Sequence, residues 1–162
     1  MEKNLTALEV IGIAIVKERE AQDLYQRMAS EIKNPLVKEK FLSLSREEHK
    51  HEEILAHMYK KMTGEDHAAV PPMKGRYSKV ELPDSATSFE GLLLFAIERE
   101  KDSQHLYLRG AEVAADESGR RTFRYLADFE RGHELLLQRE LENYRRDKNW
   151  HADCPDIILV GP

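Results

Sequence analysis

Apolar residues recur along the chain at alternating steps of three and four, the period of a helix with one buried stripe. Four such stretches are present. The first runs from about Thr6 to Ile32 and lines up Ile11, Ala14, Glu18, Ala21, Tyr25, Met28 and Ile32. The second ends near Met62 and aligns Phe41, Leu44, Glu48, His51, Leu55, Met58 and Met62. The third, from Thr87 or Ser88 to about Ala115, aligns Leu93, Ala96, Glu100, Ser103, Tyr107 and Gly110. The fourth, to about Lys148, aligns Phe123, Leu126, Glu130, His133 and Leu137. Local signals set the boundaries. Thr6-Ala7-Leu8-Glu9 is a capping box, Asn34-Pro35 breaks the chain, and Thr63-Gly64 stops the second helix. Ser118-Gly119 is expected to mark the tight connection between the third and fourth. No segment has the sustained alternation of a multi-strand sheet, so an all-α fold is predicted.

Connection lengths convert this list into a topology. Short links join the first helix to the second and the third to the fourth, which makes each pair an antiparallel hairpin. About two dozen residues, including Pro71-Pro72, Gly75 and Pro83, separate the pairs. Two hairpins joined by one long crossover form the ferritin-like kind of four-helix bundle. The sequence also repeats itself at a constant offset of 82, without gaps. Glu18 meets Glu100, Leu24-Tyr25 meets Leu106-Tyr107, Phe41 meets Phe123, Glu48 meets Glu130 and His51 meets His133. The chain thus reads as a duplicated helical hairpin over residues 1–148, with halves related by an approximate twofold axis, followed by a tail at 149–162.

Composition narrows the partners. The 162 residues carry 25 Lys+Arg against 30 Asp+Glu, a net charge of −5, which argues against nucleic acid as a main partner. One cysteine, Cys154, excludes a disulfide framework or a four-cysteine metal module within this chain. The apolar core of the N-terminal segment, Val10 to Val16, reads as the first turns of an amphipathic helix, not a signal peptide. No apolar run approaches the roughly 20 residues of a membrane span. A cytoplasmic protein that engages no membrane is expected.

The candidate chemistry lies on the stripes themselves. Each has a glutamate at its middle, and two have a histidine one turn further on, so Glu18, Glu48, Glu100, Glu130, His51 and His133 should converge at mid-bundle. Burying a carboxylate costs several kcal/mol, and four together repel one another. No stripe carries an inward Lys or Arg to compensate. Divalent cations would neutralise the group, and a carboxylate–imidazole set suits iron or manganese, with zinc less specific. Glu48 and Glu130 could each bridge two metals, with His51 and His133 binding one apiece, leaving Glu18 and Glu100 as terminal ligands. Once these four acids are set aside, the remaining charges nearly balance. One Glu-x-x-His pair alone would be weak, since such pairs are common on solvated helices; two pairs and two further glutamates at one offset are not. A metal-free interaction module is the plain alternative.

Glu18-x6-Tyr25, Glu48-x-x-His51, Glu100-x6-Tyr107 and Glu130-x-x-His133 resemble the rubrerythrin branch of the ferritin-like di-iron carboxylate superfamily, over about residues 6 to 147. The resemblance implies two oxo- or hydroxo-bridged irons, cycling between Fe2+ and Fe3+, that react with hydrogen peroxide or dioxygen. It also makes Tyr25 and Tyr107 candidate catalytic residues that hydrogen-bond the metal carboxylates; the alternative is aromatic core filler. Typical rubrerythrins add a rubredoxin module with paired Cys-x-x-Cys motifs. With Cys154 alone, this chain would draw electrons from an external donor such as a rubredoxin-type protein. They also carry another glutamate three residues after the third-helix ligand, where this chain has Ser103, with Asp102 the nearest acid. The function expected is peroxide or dioxygen reduction. Ferroxidase-based iron storage and manganese catalase-like disproportionation are the alternatives. A homodimer is expected, with the apolar tail from Ile157 to Val160 packed across it. His105 is expected on a flank or the surface, and His49, His57, Glu47, Glu52 and Glu53 on solvated faces. Cys154 is expected to be a plain tail residue, because no basic group flanks it.

Overall fold

A computed structural model describes residues 4–66 and 88–150. The residues between 67 and 87, and the tail from 151 with Cys154 and the 157–160 apolar run, lie outside the described residues. Within them the chain forms four helices: α1 (Ala7–Ser30), α2 (Pro35–Thr63), α3 (Phe89–Val113) and α4 (Glu117–Arg146).

Each helix begins at a side chain that accepts hydrogen bonds from its first free N–H groups. At α1 the box is reciprocal: Thr6 Oγ1 accepts from Glu9 N at 3.2 Å, and Thr6 N donates to Glu9 Oε2 at 2.8 Å. Asn34 Oδ1 accepts from Leu36 N at 3.0 Å, with Pro35 in the first turn of α2, where its missing N–H costs nothing. Ser88 Oγ accepts from Gly91 N at 3.0 Å at the start of α3. Gly64 ends α2 at φ 78, a left-handed conformation that glycine adopts without a Cβ clash. The link from α3 to α4 differs from expectation. Ser118-Gly119 is not the connection but lies in the first turn of α4, because Asp116 caps that helix and its Oδ1 accepts from Gly119 N at 2.6 Å. The connection is Ala114–Asp116.

Side-chain pairings establish the directions. Gln26 reaches Ser45 and Arg19 reaches Glu52, so α1 and α2 are antiparallel. Gln104 reaches Glu134 and Arg145 reaches Glu90, so α3 and α4 are too. Tyr25 bonds Glu100 while Tyr107 bonds Glu18, which makes α1 antiparallel to α3. It follows that α2 and α3 run the same way. The end of α2 and the start of α3 therefore lie at opposite ends of the bundle, the separation a long crossover must span.

The core is divided in two. One apolar cluster contains Met28, Phe41, Leu44, Phe89, Leu92, Leu93 and Leu137. The other contains Ile11, Leu55, Leu106, Phe123 and Leu126. Between them, on every helix, sits the polar layer of the predicted stripes. One detail departs from the stripes: Met62 is exposed; Ile32 is buried as its stripe implies, although α1 ends at Ser30.

Candidate metal centre

All six expected residues lie in that layer, each 4% exposed or less. Glu18 comes from α1, Glu48 and His51 from α2, Glu100 from α3, and Glu130 and His133 from α4. The three-residue spacing on α2 and α4 stacks carboxylate and imidazole on one face. His51 Nδ1 lies 3.1 Å from Glu48 Oε2 and 2.9 Å from Glu130 Oε1. His133 Nδ1 lies 3.0 Å from Glu48 Oε1 and 3.5 Å from Glu130 Oε2. The two imidazoles stack, with ring centroids 5.6 Å apart.

The donor atoms sort into two groups, each with all its atoms within 4.8 Å of one another. Glu18, Glu48, His51 and Glu130 make the first; Glu48, Glu100, Glu130 and His133 make the second. Glu48 and Glu130 belong to both. Tyr25 and Tyr107 are 1% exposed, and each donates its hydroxyl across the bundle, Tyr25 to Glu100 Oε1 and Tyr107 to Glu18 Oε1. The 82-residue offset exchanges one of these bonds for the other.

The electrostatics record how poorly this layer tolerates its own charge. Burial, reinforced by the charge of Glu48, pushes Glu18 well above the usual carboxylate range. Burial and the charge of Glu130 do the same to Glu100. Burial acts the same way on Glu48 and Glu130, but the two histidines beside them help outweigh it, and both carboxyls are held low. For His51, burial opposes the charged ring, yet Glu130 and Glu48 hold its pKa up at about 9. His133 is raised by Glu130, Glu47 and Glu48, again against burial. Two carboxylate oxygens, Glu100 Oε2 and Glu130 Oε1, are buried without a hydrogen-bond partner. His51 Nδ1 approaches the second of these off the direction a hydrogen bond needs. Orphaned buried acceptors beside imidazole nitrogens are what a cation would satisfy, so the residues present fit two divalent ions.

Several residues fall elsewhere than expected. Glu47 is not on a solvated face: it is half-buried, and its Oε2 lies 2.6 Å from His133 Nε2. Glu52 is also half-buried, held by Arg19 and Gln22. Lys17 and Arg99, related by the same offset and off the stripes, are also buried; Arg99 Nη2 turns to Glu20 Oε2 at 2.9 Å, not to the centre. Glu134, which no stripe pointed to, is buried and accepts from Gln104 and Gln138. His49, His57 and His105 are exposed. Neither Asp102 nor Ser103 belongs to either donor group. The repeat could have drawn attention to Glu47, because its partner at the offset is Phe129, a change of chemistry one residue from a conserved pair of positions within the repeat.

Among the described residues no helix is long and apolar enough to cross a membrane. No curated protein matches the chain significantly. A hypothetical protein from Pyrococcus furiosus is 29% identical, with a TM-score of 0.77 over 90% of this chain and 94% of its own. A candidate ferritin-like diiron-carboxylate protein from Thermotoga maritima shares the fold at a TM-score of 0.66 and 22% identity, over 89% of this chain and 97% of its own. The sequence matches the family model for rubrerythrin over residues 9–141, a span that runs from α1 into α4 and contains all six buried glutamates and histidines of the centre. The chain therefore belongs to the rubrerythrin family and is built as a ferritin-like four-helix bundle.

Proposed function

We propose that the chain is a di-iron oxidoreductase that reduces hydrogen peroxide or dioxygen with electrons from an external donor. The observation that carries this reading is the pair of overlapping donor groups sharing Glu48 and Glu130. Glu18 and His51 would complete one metal position, Glu100 and His133 the other. When bound, the two irons supply the redox chemistry by cycling between Fe(II) and Fe(III).

The chain's own residues do the rest. Glu48 and Glu130 belong to both donor groups and would be shared by both positions, and the histidines beside them help each keep its charge. Tyr25 and Tyr107 pin the terminal carboxylates; burial keeps their hydroxyls protonated far above the usual range, so they remain donors at any working pH. The apolar clusters on either side exclude bulk water and keep the local dielectric low. Reduction of one peroxide to two waters takes two electrons and two protons, and a rubredoxin-type protein is the class of donor proposed.

Anaerobic titration with Fe(II), followed by peroxide, tests the reading. It predicts two irons per chain and one two-electron donor equivalent consumed per peroxide. Absence of Fe(II) uptake would sink it. Oxygen evolution without any reductant would instead indicate manganese catalase-like disproportionation, and a hollow shell on size-exclusion chromatography would indicate storage.

A further inference from the structure

The repeat is broken at a position that touches the ligand histidines. Glu47 precedes Glu48 on α2, and its counterpart preceding Glu130 on α4 is Phe129. Both side chains reach across to the histidine of the opposite hairpin. Glu47 Oε2 lies 2.6 Å from His133 Nε2, the ring nitrogen that faces away from the donor group. Phe129 meets the His51 ring edge-on, at 5.4 Å between centroids and 81° between planes. Among the described residues, every carboxylate within 4.0 Å of His51 lies on its Nδ1. Phe129 also meets the His133 ring edge-on, at 6.4 Å, so what separates the two imidazoles is the carboxylate acceptor on the outer nitrogen of His133.

The distinction matters for a metal ligand. A carboxylate that accepts the Nε2 hydrogen fixes the tautomer, so the Nδ1 lone pair points inward; it also fixes ring rotation and raises the donor strength of Nδ1. An aromatic edge restricts rotation by packing but accepts no hydrogen bond. The two tyrosine–glutamate bonds exchange under the offset, whereas the stripe residues one turn from the terminal glutamates, Ala21 and Ser103, differ but do not reach either histidine's ring nitrogens. Glu47 and Phe129 are therefore the difference that touches the ligand imidazoles themselves.

Resting on the metal-centre reading above, we infer that Glu47 is a positioning residue for His133 and that the Glu47/Phe129 asymmetry makes the two metal positions unequal, the tighter being that of Glu100 and His133.

Stepwise titration of the metal-free full chain with Co(II), followed by its d–d absorption, tests this. The wild-type chain should bind two ions in two unequal steps. Glu47→Phe should weaken the tighter step about 10- to 100-fold and leave the other unchanged, so that the steps converge. Glu47→Gln keeps an amide oxygen that can accept the Nε2 hydrogen and should recover most of the loss. Phe129→Glu should strengthen the weaker step. Two equal steps in the wild-type chain would overturn the inference while leaving the metal centre standing. An unchanged isotherm for Glu47→Phe, or equal weakening of both steps, would overturn it as well. A wild-type chain that binds no Co(II) would remove the metal centre and this inference together.

Discussion

Glu48 and Glu130 each face both histidines and belong to both donor groups, so a change at either position touches the whole centre. Glu48→Ala and Glu130→Ala are each expected to reduce bound metal below two ions per chain. They should also remove at least half of the rise in thermal midpoint that metal produces. Elemental analysis, with melts in metal and in chelator, checks both. The protonation states make a second prediction. In the metal-free chain His51 keeps its proton up to about pH 9, and burial favours protonated Glu18 and Glu100. A metal must displace these protons, so uptake near neutral pH releases them, and apparent affinity climbs with rising pH and falls as pH drops. Calorimetry in buffers of different protonation enthalpy counts the protons; finding none released at pH 7 would contradict the assignment. The six inward residues were legible from spacing alone. Glu47 was not, because one residue along a helix is about 100° around it, and only the angle between α2 and α4 brings that flank back to His133.

The elements were readable wherever a cap and a period agreed. Thr6, Asn34 and Ser88 begin helices and Gly64 ends one, as their chemistry implies. Ser118-Gly119 misled because a Ser-Gly pair reads as a turn, whereas a preceding aspartate can cap a helix that begins just before them. The α3–α4 contact rests on another glycine. A Cβ built at Gly110 would lie 2.7 Å from the Phe123 ring, which is fully buried. Alanine favours a helix over glycine by about 1 kcal/mol, but overpacking a rigid ring costs about 1–3 kcal/mol. Gly110→Ala should therefore destabilise the metal-free chain by up to about 2 kcal/mol in urea unfolding. Phe123→Leu in the same chain should relieve part of the clash, so the two changes should be non-additive.

Across the whole molecule, the polar layer interrupts the core and draws ligands from all four helices. Metal is thus expected to act as a cross-link between hairpins. Because the assembled donor groups exist only in the folded chain, stability should rise with the logarithm of free metal. At a concentration 100-fold above Kd, one site adds about 2.7 kcal/mol. Melting at a series of free Zn(II) or Mn(II) concentrations tests this; a midpoint independent of metal would rule out the cross-link. The sequence by itself determined the all-α class, the pairing of helices into hairpins, the repeat, and the glutamates and histidines that point inward. Each of these follows from helical period, capping chemistry or a fixed offset, which are local or self-comparing properties. Only the tertiary structure decided that Tyr25 serves Glu100 and Tyr107 serves Glu18, that Arg99 turns to Glu20, and that Glu47 reaches His133. Those depend on the distance and rotation between helices, which packing of the two apolar clusters sets and no single helix encodes.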